Sequence, residues 1–256
     1  MRNSPASAGF PPTLWSQVAS AGKGSDAALE LLATAYRPVV LRLVTWCVEN
    51  PAVLGVEPED LTQEFFLYLT EHREEILGRA DAARGRFRAW LRTCLKNWLH
   101  NRIDELKAKK RLGERPGRSF EDLDAALPRL QRTGELEREF DRQWARDVFD
   151  RAAARLRGDV AAGMLRSMDL DVFRIRSQEP EVSEREIAGR LDLSLNLVHA
   201  SLRRVLKFFA DHLRLEVVAT VNTASELDEE IAELQRSLSG VGTRWSRITL
   251  QRPFSP

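Results

Sequence analysis

Asp60 and Glu64 stand four residues apart in VEPEDLTQEFFLYLTEH. That spacing puts two carboxylates on one helical face, where they could hold a divalent cation for a metal-dependent nuclease. The same spacing is common on helices that only meet solvent. His72 is the one histidine nearby, and His100, His199 and His212 are scattered along the chain. No zinc set is implied by such spacing. No Gly-rich phosphate loop and no nucleophile elbow occurs. Cys47 and Cys94 both sit in apolar helical contexts and read as buried thiols, not as a disulfide or a metal pair. The expectation is a protein with no catalytic residues, no metal and no cofactor, and not an enzyme.

The chemistry in this sequence is that of binding. The segment RGRFRAWLRTCLKNWLHNRIDELKAKKR interleaves aromatic and basic residues. Phe87, Leu91, Leu95 and Trp98 can pack on one side of a helix, while Arg88, Arg92 and Lys96 form a cationic stripe on another. From Arg84 to Arg118 there are twelve Lys and Arg against three Asp and Glu, a net of +9 in a chain whose total is +1. The remainder therefore carries −8. Such separation points to one basic surface with its own partner. Cations neutralise phosphates and release counterions, and aromatic rings stack on unpaired bases. The plainer alternative is that the tryptophans are core and the arginines a solvated face. Trp90, nearer the preceding loop, is the candidate for a base, and Trp98 for the core.

A second segment, SEREIAGRLDLSLNLVHASLRRVLKFF, has the spacing of a DNA-binding helix-turn-helix. Ser183 can cap the first helix with Glu186 three residues on, Ile187 and Leu191 are buried positions, and Ala188 permits a close crossing. Leu193 packs in the turn, Ser194 caps the second helix, and Val198 and Leu202 pin it to the first. The exposed face of that second helix offers Asn196, His199 and Arg203 to base edges. A capped helical hairpin of no DNA-binding role would show similar spacing.

The elements that must position these residues all read as helices. Leu29, Leu32, Tyr36, Val40, Leu43 and Val44 recur at helical spacing between Thr13 and Asn50, with a break or kink expected at Pro38. Pro58, Glu59 and Asp60 open a helix whose inner face is Leu61, Phe65 and Leu69. Residues 78–85 read as a loop, and a long helix runs from about Phe87 to about Lys110. GELEREFDRQWARDVFDRAAARLR repeats Phe140, Trp144, Val148 and Ala152 every four residues. A further helical region runs from about Ser183 to Val221. ELDEEIAELQRSL forms an amphipathic tail on Leu227, Ile231, Leu234 and Leu238, opened by Ser225 and Asp228 as a capping box. Five acids lie between Glu226 and Glu233 with no Lys or Arg, so phosphate would be repelled there. The tail either completes the neighbouring core or competes for the basic surface.

Nothing reads as a strand, so the fold class is all-α, in two small helical domains. The expected division is a disordered N-terminus over 1–12, a first domain over 13–111 and a flexible linker over 112–134. A helix-turn-helix domain follows over 135–221, with a tail over 222–256. With 43% apolar and 30% charged residues the chain supports modest cores and not one large one. MRNSPASAGFPP lacks the apolar core of a signal peptide, and no apolar run approaches a bilayer span, so a cytoplasmic protein is expected.

Together these segments resemble the bacterial RNA polymerase sigma factors of the extracytoplasmic-function type, in a subgroup with a C-terminal helical extension. EDLTQEFFLYL resembles that family's polymerase-binding helix. The resemblance implies that Asp60, Gln63 and Glu64 face the clamp helices of the largest subunit of the RNA polymerase core. GRFRAWLRTCLKNWLHNRIDELKAKKR resembles its minus-ten promoter helix. There the resemblance implies DNA contacts by Arg84, Arg86, Arg88, Trp90, Arg92, Lys96, Asn97, Lys107, Lys109 and Lys110. The capped pair of helices is similar to the family's minus-thirty-five domain, implying contacts by Ser194, Asn196, His199 and Arg203. Asp192 stands where a glycine is usual, Leu197 where a threonine is, and His199 where a lysine is. Promoter DNA and polymerase core are the implied partners, an anti-sigma protein is a further one, and no membrane is involved. The rival reading is a helix-turn-helix regulator that binds DNA without polymerase.

Overall fold

A computed structural model describes residues 14–49, 51, 55–80, 87–111, 129, 134–218, 220–221 and 224–239. The described chain is all-α. Ten helices follow in order: α1 Leu14–Gly22, α2 Asp26–Cys47, α3 Pro58–Glu71, α4 Arg73–Ile76, α5 Phe87–Arg111, α6 Glu135–Ala161, α7 Ser167–Gln178, α8 Glu184–Arg190, α9 Leu195–Val218 and α10 Ala224–Ser239. No helix among the described residues is long and apolar enough to cross a membrane. The chain divides into two compact units. One is Met1–Arg132 with Val218–Thr223, the other Thr133–Val217 with Ala224–Pro256.

In the first unit α2 packs against α1 and α3, and α1 packs against α4. Ser25 caps α2, its hydroxyl accepting from the Ala28 amide at 3.3 Å. Of the break or kink expected at Pro38, the break does not occur, since the helix runs without interruption to Cys47. Pro38 is exposed, so its ring projects to solvent, while buried Leu32 and Tyr36 before it and Val39, Val40, Leu43 and Val44 after it hold the helix on both sides. The approach of α1 to the turn after α4 is close. A Cβ on Gly22 would lie 2.8 Å from the Gly78 backbone nitrogen, so only glycine fits.

The second unit is built on α6. Leu136, Phe140, Trp144, Val148, Ala152 and Leu156 of this helix are all buried. The short helices α7 and α8 and the start of α9 close a separate small core of Val172, Val182, Ile187, Ala188, Val198 and Leu202. Helix α10 packs against α6, with Leu227, Ile231, Leu234 and Leu238 buried as the stripe required. It begins at Ala224. Glu230, one of the five acids of this tail, is 1% exposed. It stands three residues after Leu227, on the buried stripe.

Residues 1–12 lie outside the described residues, as does most of 112–134. Arg129 is the exception that bears on the linker. Its guanidinium donates to the Trp46 carbonyl at 2.8 Å, pairs with Glu49 at 3.0 Å and lies 5.1 Å from the centre of the Trp46 ring. Arg129 thus finds a carbonyl, a carboxylate and an aromatic face together.

Candidate nucleic-acid interface

Helices α3 and α5 carry the first group of candidate residues. The buried face of α3 is Pro58, Leu61, Thr62, Phe65 and Leu69. Asp60, Gln63 and Leu67 follow one another at three- and four-residue intervals on the opposite side, and all three are exposed. Leu67 is 53% exposed. Pattern reading passed over this residue, because a leucine two positions from Phe65 and Leu69 reads as core. The signal was present, since Leu67 is out of step with the 61–65–69 stripe.

Glu64 is half-buried and already engaged within the chain. It flanks the buried stripe and takes a two-pronged ion pair from Arg102 of α5, at 2.7 Å from Nε and 3.0 Å from the second guanidinium nitrogen. Arg102 also reaches Glu105 at 3.2 Å. The hydrogen bonds that Arg102 donates to Glu64 are the main reason the guanidinium is held even more firmly protonated than usual. The pair joins α3 to α5. A tilted contact between the Phe65 and Trp98 rings, with centres 5.5 Å apart, does the same from the apolar side.

Helix α5 is anchored at its start by aromatic packing. Phe87 is buried between Trp15 of α1 (5.7 Å) and Tyr36 of α2 (5.2 Å), and Trp90 stacks on Phe87 at 5.3 Å. Trp98 is buried and Trp90 is half-buried. The cationic stripe does not run as a single exposed face. Arg88 is only 5% exposed, while Arg92 and Lys96 are half-buried. Each four-residue step on a helix advances the side chain about 40° around the axis. Arg88 therefore falls in the arc of Leu91, Leu95 and Leu99, and only the later members of the series turn outward. Of the three cations of the stripe, Arg88 is thus the one buried in the free chain. Asn97 is exposed, as is Thr93 one turn before it. Lys107, Lys109 and Lys110 lie within the helical span, with only the backbone described, and Arg84 and Arg86 lie outside the described residues. Cys94 is half-buried, and burial pushes its thiol up to about 11, so it remains protonated and unreactive at neutral pH.

The second group lies on α8, the turn after it, and α9. Both caps expected from the sequence are made. Ser183 accepts from the Glu186 amide at 3.2 Å, and Ser194 from the Leu197 amide at 3.3 Å. Leu193 packs in the turn against the small core. Asp192 adopts a left-handed backbone with φ of 52°, alone among the described non-glycine residues. Asn196, His199 and Arg203 are exposed along α9. His199 is engaged by a residue that sequence reading left out: its Nε2 lies 2.5 Å from the Glu184 carboxylate of α8.

Behind α9 the unit is held by buried carboxylates. Asp169 of α7 is 0% exposed and accepts from the Ser201 hydroxyl at 2.5 Å, the Arg204 guanidinium at 2.9 and 3.0 Å, and the Arg166 amide at 3.0 Å. Burial alone would raise this carboxyl. The hydrogen bonds from Ser201, the Arg166 backbone and Arg204 outweigh it and hold the group below the ordinary carboxylate value. On the α6–α9 seam His212 lies 2.6 Å from Asp159, and Arg151 and Arg155 converge on Glu216 at 2.8 and 2.7 Å. Among the described residues, no group of three or more His, Cys, Asp and Glu side chains is gathered to hold a metal ion. No protein-family model, curated protein or solved structure matches this chain.

Proposed function

We propose that the chain is a sigma factor of the extracytoplasmic-function type, which binds RNA polymerase core in the cytoplasm and directs promoter recognition and opening. The observation that carries this reading is the uncovered Asp60–Gln63–Leu67 face of α3, braced from behind by the Glu64–Arg102 pair to the aromatic and basic helix α5. An exposed leucine ringed by acidic and amide groups has the make-up of a protein-binding hot spot. Its partner is the clamp helices of the largest polymerase subunit. Promoter DNA then lies along α5, with Trp90 beside an unpaired base of the minus-ten element and Arg92, Lys96, Asn97, Lys107, Lys109 and Lys110 along the backbone. Arg84 and Arg86 precede this helix and add to the same charge. Glu64 serves as a brace, not as a contact. In the second unit, Asn196, His199 and Arg203 of α9 face the minus-thirty-five element, and Ser194 is spent on the cap. An anti-sigma protein would compete for the α3 face.

The test is core binding followed by transcription. The full chain is expected to bind purified core without DNA, and the resulting holoenzyme to initiate from members of a promoter library. Leu67→Ala and Gln63→Lys are each expected to weaken core affinity by roughly tenfold or more, with helical content unchanged. Undiminished core affinity in both variants would remove the assignment of this face. A chain that binds duplex DNA but never core would instead be a helix-turn-helix regulator.

A further inference from the structure

Helix α9 presents a histidine whose ring is oriented by two residues behind it. Arg176 of α7 is largely buried and donates to the Pro180 carbonyl at 3.2 Å and the Val182 carbonyl at 2.8 Å. Its second nitrogen lies 3.7 Å from Glu184. Glu184 in turn places its other oxygen 2.5 Å from His199 Nε2. An ionised carboxylate only accepts hydrogen bonds, so the proton of the neutral imidazole must sit on Nε2. Nδ1 is then left as an acceptor. His199 is exposed in the second turn of α9, between exposed Asn196 one turn before it and exposed Arg203 one turn after.

We infer that the Arg176–Glu184–His199 series fixes the neutral His199 ring as a hydrogen-bond acceptor at Nδ1, which makes it a specificity-determining residue for a base carrying an exocyclic amino group in the major groove. This inference rests on the proposed DNA-binding role of α9 and adds the chemistry of one contact to it. In the major groove an acceptor can meet the N6 amino group of adenine or the N4 amino group of cytosine. Guanine offers only N7 and O6 there, both acceptors, and would face the Nδ1 lone pair unfavourably. A lysine or arginine at this position would instead select guanine. Arg176 and Glu184 are positioning residues, since neither needs to touch the base.

The experiment uses holoenzyme reconstituted from core polymerase and the full chain, at about pH 8, where an ordinary imidazole is neutral. Binding is selected from promoters randomised across the upstream element, and core affinity is measured separately. One position is expected to favour adenine or cytosine over guanine by roughly fivefold to tenfold, the worth of a single neutral hydrogen bond against an acceptor clash. His199→Ala should abolish that preference at that position alone. Glu184→Gln is the sharper variant. A glutamine can either accept from Nε2 or donate to it, so the tautomer is no longer fixed and the discrimination against guanine should fall to within roughly twofold. A merely structural role for Glu184 would lower thermal stability without changing base preference. Substituting a base analogue that lacks the amino group separates the two sources. Loss with purine in place of adenine assigns N6, and loss with the de-aminated pyrimidine assigns N4. A guanine preference in the wild type, or a preference unaltered in either His199→Ala or Glu184→Gln, overturns the inference. Failure to bind core at all would instead remove the proposed function itself.

Discussion

The two units are held together by different chemistry. In the first, the buried contacts between helices are apolar and rich in aromatic rings, with the Glu64–Arg102 pair at their half-buried edge. Phe87 joins Trp15, Tyr36 and Trp90, and Phe65 meets Trp98. In the second, an aromatic group of Phe149, Phe173 and Phe209 is also present, but polar anchors stand beside it. Every carboxylate buried among the described residues belongs to the second unit: Glu139, Asp147, Asp159, Asp169 and Glu230. A core joined by rings depends on area and shape, and is indifferent to pH over the range in which carboxylates titrate. One held by buried carboxylates is directional and fixes helix register, but loses its anchors when those groups are protonated or removed. The proposed roles fit this division. A helix that must present side chains to base edges needs a fixed rotation about its axis, and α9 takes that from Asp169 through Ser201 and Arg204.

The largest expected effect tests this contrast at its centre. Asp169→Ala removes the acceptor for the Ser201 hydroxyl, the Arg204 guanidinium and the Arg166 amide together. With Ser201 fully buried, the loss should destabilise the second unit by about 3–5 kcal/mol. Hydrogen exchange of the α9 amides reads this directly, and protection in α2 and α3 should be unchanged. A loss below about 1 kcal/mol would mean that the buried carboxylate contributes no more than a surface pair.

A second effect is the order of acid unfolding. The Asp169 carboxyl is held below its ordinary value in the folded state. Its contribution is therefore present in full above the unfolded carboxylate value, about 4, and is lost as pH falls from there through the depressed folded value. Acidification should open α7 and α9 before α2 and α5. Hydrogen exchange measured at successively lower pH checks this. Simultaneous loss in both units, or earlier loss in the first, would break the comparison.

Much of this was legible from residue pattern. The opening of α3 at Pro58, the span of α5 and the stripes of α6 and α10 rest on local chemistry, namely caps, proline at the first turn and four-residue spacing. The caps at Ser183 and Ser194 are of the same kind. Helix α7 was not legible. In SMDLDVFRIRSQ the apolar residues Met168, Leu170 and Val172 alternate as they would in a strand, and no Ser, Thr, Asp or Asn stands at the cap position. Its cap is the reach of Asp169 back to the Arg166 amide. The ion pairs were also invisible. A charge in a sequence shows its sign but not its partner, and Glu64 finds Arg102 across 38 residues, as Arg204 finds Asp169 across 35. For the same reason Arg88 and Glu230 read as surface. On an amphipathic helix the boundary of the buried arc is set by which neighbours arrive, and these two residues lie inside it.

The smallest expected effect sits at the turn between α8 and α9. Asp192 holds a φ of 52°, where a side chain crowds the following carbonyl and where glycine is at no disadvantage. Aspartate tolerates this region better than most residues, so the strain is modest. Asp192→Gly relieves it but gives the unfolded chain more freedom, and the two effects partly cancel. The side chain is exposed, so little packing is lost with it. The net expectation is a gain of about 0.5 kcal/mol, read as a raised urea midpoint with the slope unchanged. Asp192→Val provides the opposite arm. A β-branched residue cannot relax into this region, and a loss of about 1–2 kcal/mol is expected. Stabilisation by both variants would mean that the aspartate charge, not the backbone, is the unfavourable element of the turn. Destabilisation by glycine would mean that the carboxylate holds the turn through its own hydrogen bonds. In either case the register of α9, and with it the orientation of His199, would depend on this residue more than its exposed position implies.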